Sequence, residues 1–449
     1  EAEAVTETIT AFPSIFELAK TRLSPVLGLA HPSVAQRVIE QYASERAGVA
    51  KKLLGWVVLQ LERTNAEKYG GLQVREIVFR NFLRLYRFAK LSNDPDILEW
   101  VLRNKDLQRR RVVLTSHLEK PGSRYELSEM LETLVELLTE LVNSGNSDDL
   151  RDELAWAHSN LALNQLKLGL YPQAAEHVEV AFKLFEALVN KEKQYEFRPA
   201  LSTSQYRASR IYDAMGDSAK SAQFADSAVQ GFVDLVEDRG KTELTPRLGL
   251  ALAHRGRLYS QADKDSAAKK DLQRAATLLE NNDQVEPSES FRTLVDIQLE
   301  LVTIFMDESD LDSAIKEAGK AVKTATVALE EHGLEEFQPI LATCHGLRAK
   351  CYQKQNEPER AQRDIVKSIS LRNLSVDEGR LEQRYFLAKD LQLRAQIDQL
   401  RGAGEDATRD LTQAIELLQK LAEEGRADAN SQLLVCLLDR ANIYLGAGK

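Results

Sequence analysis

The sequence predicts an all-α fold in which antiparallel helix hairpins stack into an α-α superhelix. Two observations predict it. The composition is that of helix formers, with only 22 Gly and 11 Pro among 449 residues, and the chain repeats itself at steps of 46 or 47 residues from about residue 155 onward. Such a step is typical of units that cannot bury their apolar face alone. We therefore expect the units to share one continuous core.

Small residues keep one register through the first and second helix of each predicted hairpin. Because antiparallel helices approach closely only where side chains are small, we expect them to face one another. The second-helix ladders are Ala174, Ser221, Ala268, Ala314, Ala361 and Ala407, and then Ala181, Ala228, Ala275, Ala321, Ser368 and Ala414. The first-helix ladder is Ala162, Ser209, Gly256, Val302, Ala349, Ala395 and Ala441, followed three residues later by the aromatics Tyr212, Tyr259, Phe305, Tyr352 and Tyr444.

The connections between hairpins carry a second recurring signal. An acidic residue, an apolar residue, any residue and a proline close them at 196–199, 243–246 and 336–339. Proline is favoured in a first helical turn, where its missing N–H would have no partner. Gln165 and Asp398 stand where the ladder calls for an aromatic, so we expect the first and sixth hairpins to pack less tightly.

Residues 1–105 lack the ladder and are predicted to form an N-terminal helical capping region, with the repeat array over 106–449; degenerate hairpins are the alternative for the first region. Segment 127–143 is in register as the second helix of one further hairpin. Segment 75–90 combines arginines with aromatic and aliphatic residues and predicts a basic amphipathic helix. A capping helix with a solvated basic rim is the usual role of such a pattern, and a membrane-surface or partner-helix role is the alternative.

The ladders resemble the tetratricopeptide repeat (TPR) family, whose unit carries a small residue and an aromatic in its first helix and small residues in its second. Gly256, Tyr259, Ala268 and Ala275 match that pattern, although the step exceeds the usual ~34 residues. The long unit is similar to arrays in bacterial multidomain proteins. The resemblance implies a protein–protein interaction scaffold that binds a protein or peptide in a concave groove.

A second function is compatible with the same resemblance. The chain would then be the regulatory or sensor region of a larger signalling enzyme, a kinase or peptidase, whose catalytic domain lies outside it. Segment 434–445 has the pattern of a first helix without a second helix after it. We expect on this ground that the parent protein continues as a fused effector domain.

In the resembled family the first helix lines the groove, and partner contacts come from residues just before and after the small position. These positions are cationic or hydrogen-bonding on a chain of net charge -10, which suggests an acidic or carboxylate-bearing peptide as partner. Ordinary solvated side chains are the equal alternative. The predicted partner-binding residues are Asn160, Tyr206, Arg207, Arg210, His254, Arg257 and Lys350.

Periodic charges predict a structural feature inside the hairpins. An arginine precedes the small first-helix residue in several units, and an acidic residue recurs at a fixed place in the second helix. The antiparallel arrangement brings these positions together, so we expect a ladder of ion pairs that specifies register. The pairs are Arg255 with Asp271, Arg348 with Asp364, and Arg394 with Asp410.

No pattern in the sequence predicts catalysis, a cofactor or a metal site. Nucleotide-binding, protease, hydrolase and kinase motifs do not occur, and the seven histidines are dispersed. Cys344, Cys351 and Cys436 form no CxxC pair and are expected to be reduced core thiols. The acidic balance disfavours nucleic acid as a partner. The apolar stretch 53–61 is too short to span a membrane. The chain opens with neither a signal peptide nor a methionine, so its start constrains location only weakly, and a cytoplasmic location is the expectation.

Overall fold

The structure is a computed structural model that describes residues 16–21, 24–29, 124–143, 150–280 and 287–446. The predicted basic helix at 75–90 and the boundary at residues 105 and 106 lie outside these ranges. The chain divides into two compact units, Glu1–Ser221 and Ala222–Lys449, whose boundary falls inside a helix.

A β-hairpin occupies the described part of the predicted N-terminal helical region. Strand β1, Phe16–Thr21, pairs antiparallel with β2, Ser24–Leu29. Prolines at 13, 25 and 32 leave no uninterrupted stretch of the ~12–15 residues that an isolated helix needs, and Pro25 is the second residue of β2, next to the turn, where a missing N–H is tolerated. For the rest of residues 1–105, the helical capping region stays a prediction.

The first unit continues as antiparallel helices in the predicted order. Each helix packs on the next: α1 on α2, α2 on α3 and α3 on α4, while α2 also contacts α4. The additional second helix predicted at 127–143 is therefore confirmed as α1. The helices are α1 Arg124–Asn143, α2 Arg151–Lys167, α3 Tyr171–Glu186, α4 Arg198–Ala214 and α5 Ser218–Val233, the last of which crosses into the second unit.

The second unit holds four hairpins and one further first helix. The hairpins are α6 with α7, α8 with α9, α10 with α11, and α12 with α13, and each packs on the next. The helices are α6 Thr245–Gln261, α7 Asp265–Glu280, α8 Pro287–Asp307, α9 Leu311–Glu330, α10 Gln338–Lys354, α11 Pro358–Asp377, α12 Gln383–Leu400, α13 Gly404–Glu423 and α14 Ala427–Gly446.

The small-residue ladders form the core, as predicted. Every residue of the two second-helix ladders has no exposed surface, and the first-helix ladder is buried up to Ala395. The closeness of the contact is clearest at Gly256, where an added Cβ would stand 2.8 Å from Leu272 Cγ and 3.3 Å from the Ala268 carbonyl oxygen. Small side chains thus set the distance between the two helices of a hairpin.

Turns and connections also follow the repeat. The turn inside each hairpin places one residue at positive φ, at Gly169, Gly216, Asp263, Ser309, Asn356 and Gly402. Glycine adopts this conformation without strain, and Asp, Ser and Asn stand in its place in three turns. Short 3₁₀ turns lead into α4, α6 and α10, and each of these helices has its proline in the first turn. The predicted role of the prolines is confirmed.

The extra length of the repeat lies at the end of the second helix, as predicted. Helix α3 continues into a π-helical turn at Ala187–Lys191, and α5 continues into another at Asp234–Asp238. A π turn accommodates one additional residue per turn of helix. These turns lengthen the unit without disturbing the small residues that hold the hairpin together.

The three cysteines are reduced core thiols, as predicted. All three are buried and unpaired. Burial raises the pKa of the Cys344 thiol to about 12 and that of the Cys351 and Cys436 thiols to about 11. Because only a thiolate is a good nucleophile or metal ligand, these side chains act as small apolar groups in the core.

Candidate partner-binding surface

The first helices form a row of their own within each unit. In the first unit α2 lies beside α4, and in the second unit α6, α8, α10, α12 and α14 contact one another in that order. Residues just before and after the small ladder therefore recur at matching places on neighbouring helices. The seven predicted binding residues belong to this row, four in the first unit and three in the second.

Arg207 connects the two first helices of the first unit. Its Nη1 donates to Ser159 Oγ at 2.6 Å and to Asn160 Oδ1 at 3.0 Å. Arg207 and Asn160 hold the same repeat position, 47 residues apart. The guanidinium is consequently fixed in orientation across the gap between α2 and α4.

Tyr206 and Arg210 complete the cluster in the first unit. The Arg210 guanidinium carbon lies 5.6 Å from the centroid of the Tyr206 ring, within the range of a cation–π contact. Both side chains are half-buried. The structure therefore brings the four predicted residues of the first unit, Asn160, Tyr206, Arg207 and Arg210, into one polar patch on α2 and α4.

In the second unit the predicted residues are only partly brought together. On α6, Arg257 Nη2 lies 3.0 Å from His254 Nδ1, so a neutral His254 accepts this hydrogen bond. On the neighbouring α8, desolvation raises the pKa of the Asp296 carboxyl, and the Arg292 and Arg257 guanidinium groups oppose that rise. A carboxyl group close to Arg257 makes the charge here mixed. Lys350 is exposed on α10, with α8 between it and α6.

A ladder of amide side chains continues the row on α10, α12 and α14. Gln353 Nε2 donates to Gln396 Oε1 at 3.2 Å, and Gln396 Nε2 donates to Asp439 Oδ2 at 3.1 Å. Gln392 Nε2 donates to the same Asp439 oxygen at 2.7 Å. Gln396 holds the repeat position of Arg210 and Lys350. The sequence prediction left out Gln392, Gln396 and Asp439, although its own positional rule includes them.

The predicted ion-pair ladder lies inside the hairpins and is confirmed in all three cases. Arg255 binds Asp271 through Nε at 2.6 Å and Nη2 at 3.0 Å. The other two pairs, with the same two-point geometry, are Arg348 with Asp364 at 2.6 and 2.7 Å, and Arg394 with Asp410 at 2.5 and 2.6 Å. Two parallel N–H···O bonds fix both distance and orientation, so each pair sets the register of its hairpin.

Histidines extend this ladder in two hairpins. His345 Nδ1 lies 2.9 Å from Asp364 Oδ1. Desolvation raises the pKa of the Asp364 carboxyl, but the hydrogen bonds from His345 and Arg348 outweigh it and hold this pKa below its usual range. The same two repeat positions in the first unit hold His158 and His177, whose Nδ1 atoms lie 3.0 Å apart. Burial, followed by the charge of His177, lowers the pKa of His158 to about 4.

A buried polar cluster joins α11 to α12. Arg372 Nε and Ser368 Oγ each donate to Asp390 Oδ2 at 2.6 Å, and Arg372 Nη1 donates to Gln383 Oε1 at 2.9 Å. Burial raises the pKa of the Asp390 carboxyl, and the Arg372 charge opposes that rise. On α10, an added Cβ at Gly346 would stand 3.2 Å from Asp390 Oδ1. This fully bonded cluster is structural, and the sequence analysis did not single it out.

No group of three or more His, Cys, Asp or Glu side chains within the described ranges is arranged to hold a metal ion. None of the helices in the same ranges combines the length and apolar character of a membrane-crossing segment.

Comparisons with known proteins found similar solved structures and no matching family. No protein-family model and no curated protein matches the chain. Among solved structures, BtubC from P. vanneervenii is similar at 16% identity and a TM-score of 0.44, over 56% of this chain and 92% of that one. Aspartyl phosphate phosphatase F from Bacillus subtilis is similar at 13% identity and a TM-score of 0.43, over 94% and 96% of the two chains.

A third similar structure is a signal transduction ATPase with numerous domains from Pyrococcus horikoshii, which carries a tetratricopeptide repeat sensor. The identity is 13% and the TM-score 0.49, over 84% of this chain and 52% of that one, so the chain spans about half the length of the Pyrococcus protein. Within the described residues, the present chain is built of antiparallel helix hairpins whose small residues meet in the core.

Proposed function

We propose that this chain binds a protein or peptide segment along the row of first helices within each unit. Helical repeats of this type present extended surfaces to partners, either as scaffolds or as sensor regions. The supporting observation is the polar patch of the first unit, in which Ser159 and Asn160 hold Arg207 in place. A guanidinium that is already oriented loses less conformational freedom when it binds a carboxylate.

The spacing of the row favours a segment in extended conformation. Packed helices lie about 8–10 Å apart, and an extended chain rises about 3.3 Å per residue, so neighbouring first helices would meet every third residue of the ligand. Arg207 and Arg210 favour acidic side chains or a terminal carboxylate there. Asp296 beside Arg257, and the amide ladder beyond it, favour neutral hydrogen-bonding groups in the second unit.

The test uses labelled twelve-residue peptides with an acidic residue at every third position, and fluorescence anisotropy as the readout. The variant Arg207→Glu/Arg210→Glu/Arg257→Glu is expected to bind at least tenfold more weakly than the unchanged chain. The matched control is Lys183→Glu/Arg360→Glu/Arg409→Glu, with the same change in net charge at side chains of second helices that are 70%, 57% and 75% exposed.

The control variant is expected to bind within about twofold of the unchanged chain, since screened surface charges act weakly at a distance. Circular dichroism and the melting temperature confirm that both variants are folded, because Arg207 also contacts Ser159 and Asn160. Equal affinity of the two triple variants, or a preference for lysine-bearing peptides, would contradict the proposal.

A further inference from the structure

Two repeat positions of the first-helix row become large and apolar on two neighbouring helices of the second unit. One position lies nine residues before the small ladder, and the other lies two residues before it. On the other first helices these positions hold polar or small residues: Glu153, Ala200, Arg247, Thr293 and Gln432, and then Asn160, Arg207, His254, Glu300 and Asp439. On α10 they hold Ile340 and Leu347, and on α12 they hold Phe386 and Leu393.

These four side chains lie on a surface that water reaches. Ile340 and Leu347 are seven residues apart on α10, and Phe386 and Leu393 are seven residues apart on α12. That spacing puts each pair on one face of its helix, and the two helices contact one another. Phe386 is 39% exposed and the other three are half-buried. We name Ile340, Leu347, Phe386 and Leu393 the apolar square.

The ring of Phe386 is held in orientation by Arg372 of α11. The Arg372 guanidinium carbon lies 5.1 Å from the centroid of the ring, which is a cation–π distance. Arg372 is itself buried, and besides its bonds to Asp390 and Gln383 its Nη2 donates to Thr343 Oγ1 at 3.2 Å. Because a fixed cation already lies over one face of the ring, an apolar ligand group suits the other face better than a second cation.

The rim of the apolar square offers hydrogen-bond donors. Lys350 and Lys389 are exposed on the same faces of α10 and α12. Gln396 follows Leu393 by three residues, and its amide donates to Asp439 of the next first helix. No acidic residue stands nine, six or two positions before the small ladder, or one position after it, on either helix. A ligand that matches this face is therefore apolar and supplies hydrogen-bond acceptors.

The distance between neighbouring helices selects the conformation of a ligand that crosses them. Packed helices lie about 8–10 Å apart. A β-strand turns the same side to a surface every two residues, about 6.6 Å, whereas a polyproline II helix does so every three residues, about 9.3 Å. The polyproline II spacing thus brings equivalent ligand side chains onto Leu347 and Leu393. Such a helix has no internal hydrogen bonds, so its carbonyl groups can accept from donors on the rim.

We propose that the apolar square binds a proline-rich segment of a partner protein in the polyproline II conformation, with an aliphatic residue at every third position. Proline has a carbonyl group and no N–H, so it brings apolar surface and an acceptor without a donor. Aromatic rings such as that of Phe386 are a common contact for segments of this kind. The inference rests on the proposed function, since it names the ligand class for one part of the row.

The chain itself contains no segment of this kind. Its 11 prolines are scattered, and the nearest two, Pro25 and Pro32, are seven residues apart. Residues 1–123 also hold more Lys and Arg than Asp and Glu, so their charge has the same sign as that of Lys350 and Lys389. Neither these 449 residues nor a second copy of them supplies the proline-rich ligand, and we assign it to another polypeptide.

The probes are labelled twelve-residue peptides, titrated against the full chain by fluorescence anisotropy. Four repeats of Pro-Pro-Leu are expected to bind at least tenfold more tightly than four repeats of Pro-Pro-Ser, which keep the conformation and lack the aliphatic residue. Four repeats of Gly-Ser-Leu keep the leucines without the polyproline II conformation. They are expected to bind at least tenfold more weakly as well, because a flexible chain loses more conformational freedom on binding.

The chain variant Leu347→Asn/Leu393→Asn is expected to bind the Pro-Pro-Leu peptide at least tenfold more weakly. Asparagine suits both sites, because Asn160 holds the same repeat position. The matched control is Val366→Asn/Leu374→Asn, at side chains of α11 that are 44% and 50% exposed. It is expected to bind within about twofold of the unchanged chain, since apolar contacts act only at short range. Circular dichroism and the melting temperature confirm that both variants are folded.

A photoreactive side chain identifies what lies on the apolar square. The variant Lys389→p-benzoylphenylalanine is irradiated with the Pro-Pro-Leu peptide, and mass spectrometry locates the cross-link. A cross-link to the peptide is expected, and excess unlabelled peptide is expected to compete with it. A cross-link to the same chain or to a second copy that the peptide does not displace would overturn the proposal.

Two binding results would also overturn it. One is equal affinity for the Pro-Pro-Leu and Pro-Pro-Ser peptides, and the other is a Leu347→Asn/Leu393→Asn chain that binds as the unchanged chain does. The acidic peptides described above keep the two proposals apart. If those peptides bind as expected and the proline-rich peptides do not, the present inference alone fails, whereas an absence of binding by both sets contradicts the proposed function as well.

Discussion

Each Arg–Asp pair joins the two helices of a hairpin at one fixed point. In the pair of Arg394 and Asp410, the aspartate side chain is 8% exposed and the arginine side chain 24% exposed. A pair of this kind contributes little net stability, since desolvation offsets the attraction. Removing one partner is a different change, because it leaves a half-buried charge without its hydrogen bonds.

We therefore expect Asp410→Asn to lower the free energy of unfolding by about 1–3 kcal/mol. The double variant Arg394→Met/Asp410→Leu is expected to lose less, because neither group then needs a partner. The control is Asp406→Asn, whose carboxylate is 59% exposed and whose loss changes stability by about 0.5 kcal/mol or less. Urea unfolding followed by circular dichroism measures all three. A larger loss in the double variant than in Asp410→Asn would contradict this account.

The histidine pair makes the stability of the first unit dependent on pH. Burial, then the charge of His177, lowers the pKa of His158 from 6.5 to about 4 in the folded chain, and burial also lowers the pKa of His177. Below pH 6.5 the unfolded chain therefore takes up protons that the folded chain does not. The folded chain is therefore most stable above pH 6.5, and its free energy of unfolding decreases as the pH falls toward 4.

We expect the free energy of unfolding to fall by up to about 3 kcal/mol through His158 alone between pH 7 and pH 4. His158→Gln is expected to reduce this dependence, and glutamine suits the site because Gln205 and Gln298 hold the same repeat position. Urea unfolding of both chains at several pH values, with the His158 pKa from NMR titration, measures the effect. Identical pH profiles for the two chains would exclude His158 as the cause.

At the scale of the helix, the distance between neighbours decides what a substitution does. Gly256 and Gly319 both lie inside helices, α6 and α9. An added Cβ at Gly256 would stand 2.8 Å from Leu272 Cγ, whereas at Gly319 the nearest atom is Arg348 Nη1 at 4.0 Å. Alanine has the higher helix propensity at both sites, so only the packing differs.

We expect Gly319→Ala to raise the free energy of unfolding by about 0.5–1 kcal/mol through helix propensity. Gly256→Ala is expected to lower it by about 1–3 kcal/mol, because Leu272 and α7 must move. Each glycine serves as the control for the other in chemical unfolding experiments. A Gly256→Ala chain more stable than the unchanged one would show that Leu272 and α7 move away from an added Cβ at little cost.

At the scale of the whole molecule, stability accumulates through contacts between neighbouring repeats. Helix α10 packs against α9, α11, α8 and α12, whereas α14 packs against α13 and α12. Local opening is easier where fewer neighbours hold a helix. Protection against exchange is therefore expected to be high in the middle hairpins of the second unit and lower in α14.

Hydrogen–deuterium exchange with mass spectrometry tests this expectation. Amides of α14 are expected to exchange at least tenfold faster than those of α10 and α11, since about 1.4 kcal/mol in opening free energy corresponds to tenfold in rate under these conditions. The α12 amides, which have helices on both sides, serve as the internal control. Equal protection of α14 and α10 would contradict the dependence on neighbours.

The sequence by itself determined the hairpins, their register and the three Arg–Asp pairs, because these contacts join positions at a fixed separation, 16 residues for each pair. Only the tertiary structure decided that Arg207 reaches Asn160, that Gln392 and Gln396 share Asp439, and that residues 16–21 and 24–29 form strands. The first two are contacts between residues of different hairpins that lie 43 to 47 positions apart in the chain. The physical reason is that small residues set the spacing inside a hairpin. Between hairpins, the length of each side chain and the way the hairpins stack determine which residues meet.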